Sequence, residues 1–216
     1  MVDDVAHSGA PFPSLKRDLV AILRGLHPEE AEATVALLMD AGFEAIEIPL
    51  NSPDPFRSIE IAAKRAPEDV LIGAGTVLTP QDVISLHDAG GRLLVSPNID
   101  EAVLTTAHAH GMVTMPGVLT PSEALRAERA GASALKFFPA SVLGADGIAA
   151  IRTVLDPQTT IGAVGGVTEA DFAAYGAKGI STFGMGSSLF KPGMDLADIT
   201  VRARTIIAAY DQVFAK

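Results

Sequence analysis

The sequence predicts an α/β fold, a (β/α)8 (TIM) barrel of parallel strands, and three observations carry that expectation. Short apolar runs rich in β-branched residues recur eight times along the chain. Segments of helical periodicity lie between them. Helix-start and helix-stop residues punctuate those segments at matching places. Strict alternation of strand and helix implies a parallel sheet. Eight repeats favour closure over an open doubly wound sheet. The dinucleotide loop usual in the open alternative, G-x-G-x-x-G after the first strand, is missing, since that strand ends in Arg24-Gly25-Leu26.

The predicted strands are, in order, Leu19–Arg24, Ala45–Leu50, Val70–Thr76, Leu93–Asn98, Val113–Gly117, Ala134–Pro139, Thr160–Gly166 and Ile180–Gly186. They recur every 20 to 26 residues or so, short but sufficient for a βα unit. Helix starts are read at Pro28-Glu29-Glu30, Thr79-Pro80-Gln81-Asp82, Thr120-Pro121-Ser122-Glu123 and Thr168-Glu169. Each places a capping residue, a proline or acidic side chains where free N–H groups and the helix dipole favour them. Gly42, Gly90, Gly111, Gly131 and Gly179 stand where each helix must stop and turn into the next strand. An amphipathic last helix, from about Asp195 to Lys216, closes the ring. The expected organisation is one barrel domain over residues 1–216, with residues 1–18 preceding the first strand. At 216 residues the chain lies near the lower limit of an eight-fold barrel, typically about 250.

Composition narrows the function. Hydrophobic residues make up 48%, enough for a sizeable core. The formal net charge of −10 argues against a nucleic acid or an anionic membrane surface as partner. An anionic small molecule would need a local positive site against that overall field. Cysteine is absent, so disulfides and thiolate chemistry are unavailable. No apolar run resembles a signal peptide or reaches the ~18 residues of a spanning helix, so a cytoplasmic protein is expected.

Chemistry in such a barrel belongs at the carboxyl ends of the strands. Lys136 stands inside the apolar run Ala134–Pro139, where burial would lower its pKa and leave an amine able to attack a carbonyl. A snorkelling lysine at a strand end fits the same feature. Glu47 stands in Ile46-Glu47-Ile48-Pro49, where burial would raise its pKa and suit it to move protons. A structural ion pair with Lys136 or Arg24 is the alternative. The two residues belong to the second and sixth strands, and alternate strands share interior layers. If both point inward, they converge at the mouth. Gly165-Gly166 and Gly184-Met185-Gly186-Ser187-Ser188 follow the last two strands, the loops with which barrels often hold phosphate. Of the five histidines, His108 and His110 share no helix face. No metal site or cofactor is expected.

These residues also carry a resemblance. AILRG, GFEAIEIPLNSP, LIGAGTV, SPNI, LKFFPAS, VGGV and GMGSSLF, in that order, resemble the 2-keto-3-deoxy-6-phosphogluconate and -galactonate aldolases from Leu19 to about Tyr210. The resemblance implies a lyase of carbohydrate metabolism that cleaves a phosphorylated keto-deoxy sugar acid into pyruvate and glyceraldehyde 3-phosphate. It implies that Lys136 forms the Schiff base and Glu47 is the acid-base residue. Arg24, Thr76, Pro97 and Phe138 would bind or line the substrate site. Gly165, Gly166, Gly186 and Ser187 would hold its phosphate. A homotrimer without metal is implied as well. EIPLNSP is more similar to the galactonate branch than to the gluconate branch, which more often reads like EVTLRT; Asn51 occupies the position of that arginine. The stretch after Pro139, Ala140-Ser141-Val142-Leu143-Gly144, is distinctive of neither. The alternatives are the gluconate or 4-hydroxy-2-oxoglutarate substrate with the same mechanism, a metal-dependent pyruvate aldolase, another phosphosugar enzyme such as an isomerase, and a non-catalytic phosphate-binding barrel.

Overall fold

The computed structural model describes residues 9–214. Its strands are β1 (Leu19–Ile22), β2 (Ala45–Pro49), β3 (Leu71–Gly75), β4 (Leu93–Val95), β5 (Val113–Met115), β6 (Gly117–Val118), β7 (Leu135–Phe137), β8 (Ile161–Val164) and β9 (Thr182–Met185). The helices are α1 (Pro28–Ala41), α2 (Pro55–Arg65), α3 (Pro80–Asp88), α4 (Glu101–Ala109), α5 (Pro121–Arg129), α6 (Ala140–Arg152), α7 (Phe172–Gly176) and α8 (Leu196–Phe214). A 3-10 turn, Glu169–Asp171, leads into α7. Residues 1–8 of the predicted N-terminal segment and residues 215 and 216 of the predicted last helix lie outside the described residues.

All pairings are parallel, in the order β5-β4-β3-β2-β1-β9-β8-β7-β6. The two ends of this list are the two halves of one predicted strand, Val113–Gly117, parted at Pro116. Proline has no N–H to give to a ladder. The chain therefore changes neighbours there: Ser96 N donates to Met115 O on one side, and Lys136 N donates to Pro116 O on the other. The chain itself closes the barrel at this point. The other seven predicted strands shorten by one to three residues at their ends but keep their places.

Local signals act as the sequence suggests. Thr79 Oγ1 accepts from Asp82 N while Asp82 Oδ2 accepts from Thr79 N, and Thr120 with Glu123 does the same. The five predicted stop glycines all take the left-handed conformation, with φ from 65° to 106°. One helix departs from regularity: Gly144, at φ 64° and ψ 177°, breaks α6 after its first turn.

Side chains alternate between two apolar layers, as period-two strands require. Residues such as Ile46, Ile48, Leu135 and Phe137 face outward and pack under the helices in one continuous core. Val20, Ala45, Leu93, Val113 and Ala134 face inward and fill the barrel axis. Phe12 and Leu15, ahead of β1, pack on this inner cluster and cork the amino-terminal end. The inward set changes character along the axis. Toward the carboxyl end it contains Glu47 and Lys136, and the filler gives way to space.

Candidate active site

Glu47 is central in β2 and Lys136 central in β7, so rigid strands rather than loops hold both. Small neighbours make room for them. Lys136 is in register with Gly117 on one side and Gly162 on the other, and Glu47 is in register with Gly73. Gly75 is required more directly: a Cβ there would collide with the Glu47 carboxylate. Both chemical groups are thus inside the barrel, Glu47 at 2% and Lys136 at 6% exposure.

Burial sets their chemistry. Desolvation pushes the Glu47 carboxyl up to about 7, against the opposing pull of Lys136, Arg24 and the Gly75 amide. Its Oε2 has no hydrogen-bond partner among the described residues. Desolvation likewise lowers the Lys136 ammonium, with Glu47 resisting and the Arg24 charge assisting. The Nζ of Lys136 stands 4.8 Å from the ring centre of Phe138. That ring in turn lies against Gly165, whose Cβ would approach it to 3.0 Å. A carboxyl poised near neutrality beside an amine of lowered pKa has the chemistry to serve as an acid-base and nucleophile pair.

The pair opens into a cavity of about 500 Å³ at the carboxyl ends of the strands. Of the predicted site residues, Arg24, Phe138, Gly165, Gly166, Gly186 and Ser187 join Glu47 and Lys136 in its lining. Gly165 and Gly166 have φ of 91° and 76°, a conformation open to glycine and strained for other residues. Ser141 presses on Gly166, and its amide donates to Gly165 O, which ties the stretch after Pro139 to this loop. Among the described residues, no carboxylate other than Glu47 lines the cavity, whereas Arg24, Lys136 and Lys191 do, so a local positive site exists in an acidic chain. Among the described residues, no three or more His, Asp or Glu side chains gather as metal ligands.

Two predicted residues stand apart. Thr76 follows β3 in a left-handed conformation at φ 58°, half-buried and outside the cavity lining. Pro97 follows β4 and packs its carbonyl against Gly117, where a Cβ would collide with it. Sequence reading missed Gly75 and Lys191. The signal for Lys191 was present: a cation immediately after GMGSSLF, in a chain that needs local positive charge.

Comparison with known proteins places nearly the whole chain. The sequence model of a family described as "KDPG and KHG aldolase" matches residues 14–208. A Rhizobium meliloti (strain 1021) protein named "Probable 2-dehydro-3-deoxy-6-phosphogalactonate aldolase" is 63% identical over 204 residues, 94% of this chain and 96% of the relative. The Escherichia coli (strain K12) 2-dehydro-3-deoxy-6-phosphogalactonate aldolase is 43% identical over 195 residues, 90% of this chain and 95% of the relative. A solved structure described as "Native KDPGal structure" superposes with a TM-score of 0.91 at 41% identity, covering 94% of this chain and 98% of the other.

Proposed function

The chain belongs to the KDPG and KHG aldolase family, and from that premise we propose that it is a class I aldolase acting through a Schiff base on Lys136. Its substrate is 2-dehydro-3-deoxy-6-phospho-D-galactonate, and its products are pyruvate and D-glyceraldehyde 3-phosphate. The observation that carries the reading is the buried Lys136–Glu47 pair at the floor of a cavity lined by glycine loops.

The neutral amine of Lys136 adds to carbon 2, and the carbonyl oxygen, with one proton taken up from solvent, leaves as water to give a protonated imine. Glu47, as the carboxylate, takes the proton of the carbon 4 hydroxyl, directly or through water. The bond between carbons 3 and 4 breaks, its electrons flowing into the imine nitrogen, and glyceraldehyde 3-phosphate departs. Glu47 then returns its proton to carbon 3 of the enamine, and water hydrolyses the imine to free pyruvate. A pKa near 7 suits a group that must both accept and give a proton. Arg24 binds the substrate carboxylate with its planar fork. The loops at Gly165-Gly166 and Gly186-Ser187 hold the phosphate, whose remote binding energy orients the reacting end. Thr76 and Pro97 shape the wall behind the site. The assembly we propose is a cytoplasmic homotrimer of single-domain subunits. In keeping with that, no helix among the described residues is long and apolar enough to cross a membrane.

The direct test is trapping. Pyruvate with borohydride should leave a stable adduct on Lys136, located by peptide mass mapping. An adduct on another lysine would overturn the assignment. Activity lost to a chelator and restored by metal would favour the metal-dependent alternative. Epimer preference needs its own assay, because the galactonate and gluconate substrates differ only at carbon 4 and yield the same products. We expect a higher kcat/KM for the galactonate epimer. Equal values, or a gluconate preference, would refute the substrate assignment while leaving the chemistry intact.

A further inference from the structure

We propose that Asn51 is a positioning residue for the substrate carboxylate, holding the Arg24 fork at the mouth of the cavity without neutralising its charge. The proposal rests on the reading of Arg24 as the carboxylate-binding residue.

Arg24 lies just beyond β1 and is exposed. A free arginine head there would lose much of its rotamer entropy on capturing a ligand. Two loops meet at this point. Asn51 Oδ1 accepts a hydrogen bond from Arg24 Nη1 at 2.5 Å. The next residue, Ser52, is buried, and its Oγ accepts from Gly25 N at 2.9 Å. Adjacent residues after β2 therefore grip adjacent residues after β1, one by the side chain and one by the backbone. Pro192 closes the third side, since a Cβ on Gly25 would meet its Cγ at 2.6 Å. The backbone beneath Arg24 is fixed, and Asn51 fixes the head.

The choice of amide over acid matters. Arg17, far from the cavity, is held by Asp211 in a two-pronged ion pair at 2.7 Å. That geometry immobilises a guanidinium but cancels its charge. Asn51 supplies the same kind of acceptor without a charge. One bond to the amide leaves most of the five guanidinium N–H donors for an incoming carboxylate. In a chain of net charge −10, this is a cation at the mouth of the cavity with no ion pair of its own among the described residues. Its field also reaches Glu47 and Lys136, lowering the pKa of both.

The test compares Asn51→Ala, Asn51→Asp, Arg24→Ala and the double variant Arg24→Ala/Asn51→Ala, with kcat and KM measured across pH on the phosphorylated galactonate substrate. Asn51 is exposed, so both substitutions should fold. Loss of a hydrogen bond to a charged group predicts that Asn51→Ala raises KM about tenfold with little change in kcat. Asn51→Asp keeps the bond but opposes the charge, so KM should rise at least as far. The acid limb of kcat/KM should also move to higher pH. The charged groups governing that limb are Arg24 from the β1 end and Lys136 from β7, both facing Glu47. In the Arg24→Ala background, Asn51→Ala should add nothing, because Asn51 acts through Arg24. An Asn51→Asp enzyme with wild-type KM and pH profile, or a fully additive double variant, would overturn the proposal. Failure of the aldolase reading would show separately, as failure of the wild-type protein to form a pyruvate adduct on Lys136.

Discussion

The two ends of this barrel are built from the same strands and treat polar groups in opposite ways. At the amino-terminal end, Ser133 and Thr114 exchange backbone-to-hydroxyl hydrogen bonds, and Ser133 also donates to Ala10 O. Arg17 pairs with Asp211, and Asp18 N donates to the Tyr210 hydroxyl, whose buried phenol is pushed up to about 12. At the carboxyl end, Glu47 Oε2 is buried without a hydrogen-bond partner among the described residues, and Lys136 stands over the Phe138 ring in the field of Glu47 and Arg24. Size does not separate the ends. A groove of about 770 Å³ beside Phe12, Arg17 and Tyr210 is larger than the cavity over Glu47. What marks the site is polarity left unsatisfied at a place where a ligand can satisfy it.

The sharpest break of this contrast is Lys136→Met. It removes the proposed nucleophile, so cleavage and pyruvate trapping should both vanish. The fold should survive with an unchanged or higher melting temperature. Replacing a desolvated amine by an apolar side chain of similar length removes a burial cost. Glu47 would not be left as a naked charge either. Lys136 now pulls its pKa down from a value that burial pushes up, so without Lys136 it rises further and Glu47 is protonated at neutral pH. A strongly destabilised variant would mean that the pair holds the barrel together.

Glu47→Gln should act next most strongly. Imine formation with pyruvate survives, while cleavage falls by roughly the 10²–10⁴-fold attributed to acid-base catalysis. The wild-type rate should fall as pH drops through about 7, and the residual rate of the variant should lack that limb. Stability carries the same signature. An acid whose folded pKa lies above its ordinary value of 4.5 favours the native state below that value. The advantage is lost as pH rises through about 7. Glutamine has no such dependence. The variant should therefore gain stability over wild type as pH rises across that window, as read by thermal melts.

This contrast also separates what was legible in the sequence from what was not. Seven strands, four helix starts and five helix stops follow from apolar period and caps, and strand parity permits the convergence of Glu47 with Lys136, all local or simply additive properties. The division at Pro116 was not read, although proline is visible there, because only the partner strands reveal that one half of the strand pairs left and the other right. Gly75 looked like part of an apolar run, and its need arises from a carboxylate two strand positions away on a neighbour. Phe12 and Leu15 fall in the segment before the first strand, to which the sequence assigns no role, since a plug is recognisable only once there is a barrel to close. Thr76 and Pro97 end their strands at the expected level but lie outside the cavity lining, because exact direction at a strand end depends on loop geometry.

The smallest expected effect, and the one that tests the quiet end of the comparison, is Ser133→Ala. Ser133 Oγ accepts from Thr114 N at 2.8 Å, and its own amide donates to Thr114 Oγ1 at 3.1 Å. Thr114 is fully buried, so removing the serine hydroxyl strands its N–H away from water. It also releases Ala10 O, an anchor of the segment that carries Phe12 into the barrel. An unsatisfied buried donor costs about 1–3 kcal/mol. In a chain of this size that lowers the melting temperature by roughly 2–4 °C per kcal/mol. Glu47, Lys136 and the glycine loops lie at the other end of the strands and keep their positions. Well below the melting transition, kcat and KM should therefore both equal wild type. A fall in kcat at full foldedness would show that the two ends are coupled through the inner core, and the division of labour between them would fail.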